Sequence, residues 1–134
     1  MVGRGAGLTP SGDDALAGAL LVTHALGAGR ALADAVRARL RSTTAVSAAL
    51  LDAAADGYGA RPVVALVDAV VASRADAVRR ALPAVLAIGH TSGADTVAGI
   101  RAALELLTPR RECGNGCQGD HFRTRADESG RSAA

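Results

Sequence analysis

Aromatic side chains are almost missing from this chain: among its 134 residues only Tyr58 and Phe122 are aromatic, and there is no tryptophan. Sandwiches and barrels build their cores largely from aromatic and β-branched residues, so this scarcity argues against both. Lysine is absent as well, and all 15 basic residues are arginine. Schiff-base catalysis and the phosphate-binding lysine of P-loop enzymes are thereby excluded from the chain's own side chains. No apolar run has the length of a membrane span, since the stretch from Pro62 to Ala72 is short and contains Asp68. The net charge of +2 is too small for a nucleic-acid footprint, and no basic strand carries aromatics for base stacking. No secretory signal is expected, because the glycine-rich stretch meets a polar motif within about ten residues. A cytoplasmic protein with neither membrane nor nucleic-acid partners is expected.

What is plentiful is alanine, leucine and valine. At 49% hydrophobic composition these can bury one core of closely packed helices. The organising stretch is Gly3-Arg4-Gly5-Ala6-Gly7-Leu8-Thr9-Pro10-Ser11-Gly12-Asp13-Asp14. Three alternating glycines allow positive φ and close backbone approach, and they lead directly into a helix start, which makes a candidate anion site. Thr9 before Pro10 reads as N-cap and first helical residue, and Ser11 with Asp14 reads as an acidic capping box. The signature returns as Gly89-His90-Thr91-Ser92-Gly93-Ala94-Asp95. Ser11 to Gly18 and Ser92 to Gly99 then share the pattern S-G-x-D-x-x-A-G. In each copy the Ala-Gly pair falls one turn beyond the aspartate on the same face, so the two helices can cross closely. Such a crossing would gather two helix N-termini, their hydroxyls and two carboxylates at one place.

The periodicity predicts an all-α domain of about six helices over residues 1–109. The first runs from Ala15 to Leu26 and is closed by Gly27 and Gly29, with His24 in its last turn as a dipole partner. Ala31 to Leu40 is amphipathic, and Ala45 to Ala55 follows the hydroxyl cluster Ser42-Thr43-Thr44. Thr43, Thr44 and Ser47 read either as capping groups or as the lining of a polar cleft. Pro62 opens a fourth helix to about Ser73, Arg74 to Leu82 forms a fifth that kinks or restarts at Pro83, and Gly93 to Leu107 forms the sixth. Residues 110–134 lack periodicity and are expected to be disordered. Cys113, Cys117 and His121 lie within that tail. Their C-x3-C and C-x3-H spacing lacks a fourth ligand, so free thiols are expected there in preference to a metal site.

The chemistry of the two motifs is that of a cleft for a small anionic ligand. Backbone amides of Gly5, Gly7, Gly12 and Gly93 and the hydroxyls of Thr9, Ser11, Thr91 and Ser92 would be donors, with Arg4 available to pair the anion. Asp13, Asp14 and Asp95 would repel that anion unless something intervenes. Either Mg²⁺ bridges Asp14 and Asp95 to a phosphate, or the carboxylates accept hydrogen bonds from an amide or carbamoyl NH2. His90 is then a candidate acid or base beside Asp14 and Asp95. Capping alone would account for the Ser and Asp pairs but not for the additional Thr, His and Asp around them.

These residues resemble a known family. Gly3-x-Gly5-x-Gly7-Leu8-Thr9-Pro10-Ser11-Gly12-Asp13-Asp14, Thr43-Thr44-x-x-Ser47 and Gly89-His90-Thr91-Ser92-Gly93-x-Asp95, in that order, look like the three signatures of a bacterial family of unknown function. Its best-described member is the H subunit of the multi-subunit oxamate carbamoyltransferase of anaerobic allantoin breakdown, within purine catabolism. The resemblance covers residues 2 to 107 and matches the C-terminal part of usually longer members. It implies a role, beside partner subunits, in moving a carbamoyl group between phosphate and oxamate. A carbamoyl phosphate-like ligand would use amides and carboxylates together, with Gly5, Gly7 and Ser11 at the phosphate and Asp14 and Asp95 at the NH2 or Mg²⁺. A non-catalytic metabolite-binding or assembly subunit, or an inactive family member, is the alternative.

Overall fold

The computed structural model describes residues 1–5 and 7–108. Six helices form: α1 (Ser11–Ala25), α2 (Arg30–Arg37), α3 (Ala45–Ala55), α4 (Arg61–Val71), α5 (Ala75–Leu86) and α6 (Ser92–Leu107), with a single 3-10 turn at Leu40–Ser42. No strand is present among the described residues. The all-α expectation therefore holds. The expected tail and its Cys113, Cys117 and His121 lie outside the described residues.

α1 is the axis of the fold, and its alanine- and leucine-rich sequence is apolar on several faces because it is covered on several sides. α6 packs along it most closely, α3 and α4 cover other sides, α5 joins α4 to α6, and α2 rests on α3. Leu16, Leu20, Leu21 and Val22 of α1 meet Leu51 and Ala54 of α3, Val63, Leu66 and Val67 of α4, Val85 of α5 and Ile100 of α6 in one core. Each such leucine or valine contributes about 1.5–3 kcal/mol by leaving water.

The two copies of the repeat make the α1–α6 contact. A Cβ on Gly99 would lie 1.8 Å from the Ala15 carbonyl oxygen, and one on Gly18 would lie 2.2 Å from that of Thr96. Ala15 and Thr96 occupy the same place in the repeat, as do Gly18 and Gly99, so the contact is reciprocal. Thr9 meets Ser92 at the helix starts, with the glycine contacts further in, so α1 and α6 run side by side in the same direction. Only glycine permits carbonyls to come this near a neighbouring helix.

Helix ends follow local chemistry. Gly27 at φ 68° ends α1, with Ala28 N–H donating to the Thr23 carbonyl and Gly27 N–H to that of His24. Gly57 at φ 84° ends α3 in the same way, through Tyr58 N–H to Ala53 and Gly57 N–H to Ala54. Three details differ from the sequence reading. α1 begins at Ser11 behind Pro10, whose φ is −58° and ψ 140°, and neither Thr9 nor Ser11 caps it with a side chain. α2 stops at Arg37, and the chain then tightens into 3-10 bonds, Arg39 N–H to Val36 and Ser42 N–H to Arg39. α5 does not restart at Pro83 but runs through it to Leu86. Pro83 and Arg79, whose carbonyl loses its usual donor to the proline ring, both lie on the exposed face of α5.

Candidate functional site

The first turn of α1 carries two neighbouring carboxylates with opposite surroundings. Asp13 is 2% exposed. Its Oδ1 accepts from Gly3 N–H at 2.7 Å, and its Oδ2 accepts from the Thr43 hydroxyl. Asp13 thus clasps the glycine loop and the segment before α3 onto α1. Gly3, at φ 75°, fits there because a Cβ would strike the Ser42 carbonyl oxygen at 2.2 Å. Asp14 has no such clasp. Its Oδ2 is buried without a hydrogen-bond partner among the described residues, and so is Oδ2 of Asp95 on α6.

Burial pushes the Asp14 carboxyl above its ordinary value, the nearby hydroxyls of Ser92 and Thr9 oppose this, and the charges of Asp95 and Asp13 add to the rise. The Thr9 and Ser92 hydroxyls themselves lie 3.3 Å apart across the two helix starts. Thr44 does cap a helix, α3, by accepting from Ser47 N–H at 3.1 Å, and its hydroxyl donates to the Leu8 carbonyl at 2.6 Å. The buried Ser47 hydroxyl reaches the same carbonyl at 3.4 Å. The capping reading applies to Thr44; these hydroxyls also tie the glycine loop to α3, and of Thr43, Thr44 and Ser47 only Ser47 lines the cavity between α1, α3, α4 and α6.

Asp13, Asp14, Ser47, Ser92 and Thr96 form the polar end of a cavity of about 320 Å³ between α1, α3, α4 and α6. The rest of its wall is apolar, with Ala17, Leu21, Leu50, Leu51, Val63 and Ile88 prominent, and the exposed Tyr58 stands at its edge. No basic side chain lines it among the described residues. Thr96 is a variable position of the second repeat copy, and the apolar walls apart from Ala17 lie outside the sequence motifs. Thr96 was accessible from Ser92 four residues earlier, whose carbonyl it bonds at 2.8 Å, whereas the walls converge only through tertiary packing.

Other expected site groups are placed differently. Ser11 is exposed, and a Cβ on Gly5 would meet its backbone nitrogen at 2.8 Å, so the glycine loop lies over the start of α1. Gly12 N–H is taken by the Arg4 carbonyl at 3.0 Å, and Asp13 N–H by that of Pro10 at 2.7 Å. Gly7, at φ 105°, stands in open space. Gly93 is buried against the Val85 carbonyl and donates its N–H to Ile88 at 3.0 Å. Thr91, His90 and Arg4 are exposed and do not line the cavity. Asp95 also stands outside the lining, where it acts on Asp14 through its charge. His24 lies at the far end of α1, with Nδ1 3.3 Å from the Ala55 carbonyl. No group of three or more His, Cys, Asp or Glu suited to a metal occurs among the described residues.

The family model for oxamate carbamoyltransferase subunit AllH matches residues 1–104. The chain belongs to this family. The match covers the glycine loop, both copies of the repeat and every residue lining the cavity. The family's description is of an enzyme subunit, which implies companion chains for its members. No solved structure matches the chain. Among the described residues no helix is long and apolar enough to cross a membrane.

Proposed function

We propose that this AllH-family chain acts as a subunit of a carbamoyl-transferring enzyme and that its cavity receives a small ligand by an amide or carbamoyl NH2. The supporting observation is Asp14, which lines the cavity and whose Oδ2 is buried without a hydrogen-bond partner among the described residues. An unsatisfied buried acceptor of this kind costs about 1–3 kcal/mol, and an NH2 donor from the ligand removes that cost. The Asp14 carboxylate accepts from the ligand NH2, and the Ser92 and Thr96 hydroxyls stand at the same end of the cavity.

The Mg²⁺ alternative asks Asp14 and Asp95 to meet one ion, and Asp95 does not line the cavity. For the phosphate of a carbamoyl phosphate-like ligand this chain offers the open Gly7 backbone and the exposed Arg4 outside the cavity. Companion subunits would complete that part of the site. His90 has no role in this reading.

The test is a thermal melt with millimolar carbamoyl phosphate or oxamate, each against its NH2-free counterpart, inorganic phosphate or oxalate. Ligand at about 100 times its dissociation constant adds about 2.7 kcal/mol, a rise of several degrees in a domain of this size. Only the NH2-bearing member of each pair should raise the melting temperature, and Asp14→Leu, similar in shape but without an acceptor, should lose the rise. An equal rise in that variant would sink the assignment.

A further inference from the structure

α3 carries almost no charge on the side it shows to solvent. Each of α2, α4, α5 and α6 exposes charged side chains, among them Asp34, Asp68, Arg80 and Glu105. The exposed residues of α3 are instead Ala45, Val46, Ala49 and Leu50, with Asp52 drawn aside to Arg37 at 2.8 Å. A helix that is apolar on all sides belongs in an interior, yet this one lies at the surface. The apolar strip continues past both ends of the helix. Leu8, 73% exposed, is fixed at the start of α3, where its carbonyl accepts from the Thr44 and Ser47 hydroxyls, and Tyr58, 72% exposed, follows the end. A contiguous exposed strip of this kind marks an interface.

The order of side chains along the strip says what covers it. Val46, Ala49, Leu50 and Ala53 alternate large and small, so the same helix running in the opposite direction sets Val46 on Ala53 and Leu50 on Ala49. Running in the same direction, it would set large on large and small on small. The two ends fit the antiparallel sense as well, because it brings Leu8 of one copy to Tyr58 of the other, twice. We propose that two copies of this chain pair through α3, antiparallel, about a two-fold axis passing between Ala49 and Leu50. The centre of this interface is free of charge, as interface centres are. Leu50, Ala53 and Tyr58 also line the cavity, so Leu8 of each copy closes the edge of the cavity in the other. The pairing goes beyond the reading of the cavity's ligand and stands independently of it.

Sedimentation equilibrium of the full chain tests this. A dimer with a dissociation constant of about 10–100 µM is expected, since so short a face stands at the small end of specific interfaces. Val46→Asp puts a carboxylate in the first turn of α3, where it suits the helix N-terminus and folding is not at stake, and should weaken the dimer about tenfold or more while the melt stays cooperative. Leu8→Asp and Tyr58→Arg should each weaken it too. Within one chain these two residues cannot meet, because the 11 residues of α3 put about 16 Å between its ends. The combined variant Leu8→Asp/Tyr58→Arg sets the new carboxylate against the new guanidinium across the antiparallel interface, so it should recover most of the loss. A monomer at every concentration, or a dimer indifferent to Val46→Asp, overturns the proposal. Losses that simply add in the combined variant overturn the antiparallel arrangement, because parallel copies would set like charges together. A monomer that takes up a companion subunit through this face, and fails to do so as Val46→Asp, gives the face to another occupant and overturns the second copy.

Discussion

The first copy of the repeat has Asp13 where the second has Ala94, and the two positions have opposite surroundings. Asp13 is buried and holds Gly3 and Thr43, while Ala94 is exposed. The serines differ in the opposite sense: Ser11 is exposed, and Ser92 is half-buried, touching Thr9 and lining the cavity. Deeper in, the copies are equivalent, each presenting a glycine to the other's carbonyl. What the repeat preserves is thus the helix crossing. What it varies is the work done at the two helix starts: both line the cavity, and the first also fastens the glycine loop.

The shared half breaks most severely at Gly99. A methyl there would sit 1.8 Å from the Ala15 carbonyl oxygen, so Gly99→Ala must push α6 away from α1. A loss of about 3 kcal/mol or more in urea unfolding is expected, the upper part of the range for overpacking. Gly18→Ala should come close to it, with 2.2 Å to the Thr96 carbonyl oxygen. Because one separation of the helices relieves both clashes, the double variant should lose clearly less than the sum. Full additivity, or wild-type stability in either single variant, would remove the reciprocal crossing.

The differing half is tested at Asp13 and Ala94. Asp13→Asn removes the charge that accepts from Gly3 N–H and the Thr43 hydroxyl and should cost about 2 kcal/mol, as buried hydrogen bonds to charged groups do. Ala94→Asp places the same side chain at the equivalent but exposed position, where a change within about 0.5 kcal/mol is expected. Similar costs at both positions would mean that the copies differ less than their surroundings suggest.

The crossing was legible in the sequence because it needs only small residues at one helical spacing, and Gly18 and Gly99 stand there in both copies. The helices were legible too, since Gly27 and Gly57 punctuate them and periodicity fills the spaces between. The functions of individual polar groups were less so. Ser11 and Asp14 have the spacing of a capping box, yet the glycine loop folds back and Arg4 supplies a backbone carbonyl to Gly12 N–H. Asp13 and Asp14 are identical neighbours that both line the cavity, yet a helix turns successive side chains about 100° apart, so only Asp13 also reaches Gly3 of the loop and Thr43. The apolar wall was hidden for another reason. Leu21, Leu50 and Val63 read as ordinary core residues, and that they leave a space between them depends on how α1, α3 and α4 pack.

The finest contrast lies between Asp13 and Asp14 and is read by pH. Asp14 has an ordinary value of 3.8 in the unfolded chain and a higher one in the folded protein, chiefly through burial. Between those two values the folded state binds more protons than the unfolded one, so this group's contribution to stability falls as pH rises through the window. Above the folded value its ionised form is a constant penalty, and at acid pH the penalty disappears. An asparagine side chain at this position cannot titrate. Relative to the wild type, Asp14→Asn should therefore be most favoured near pH 7, and the advantage should shrink steadily as pH falls toward about 4. Melting temperatures of the two proteins across that range decide it, with the change in their difference, not its absolute value, as the readout. A difference that stays flat would mean that Asp14 titrates as it does in the unfolded chain, and one that widens on acidification would mean that Asp14 is held as an ion by partners.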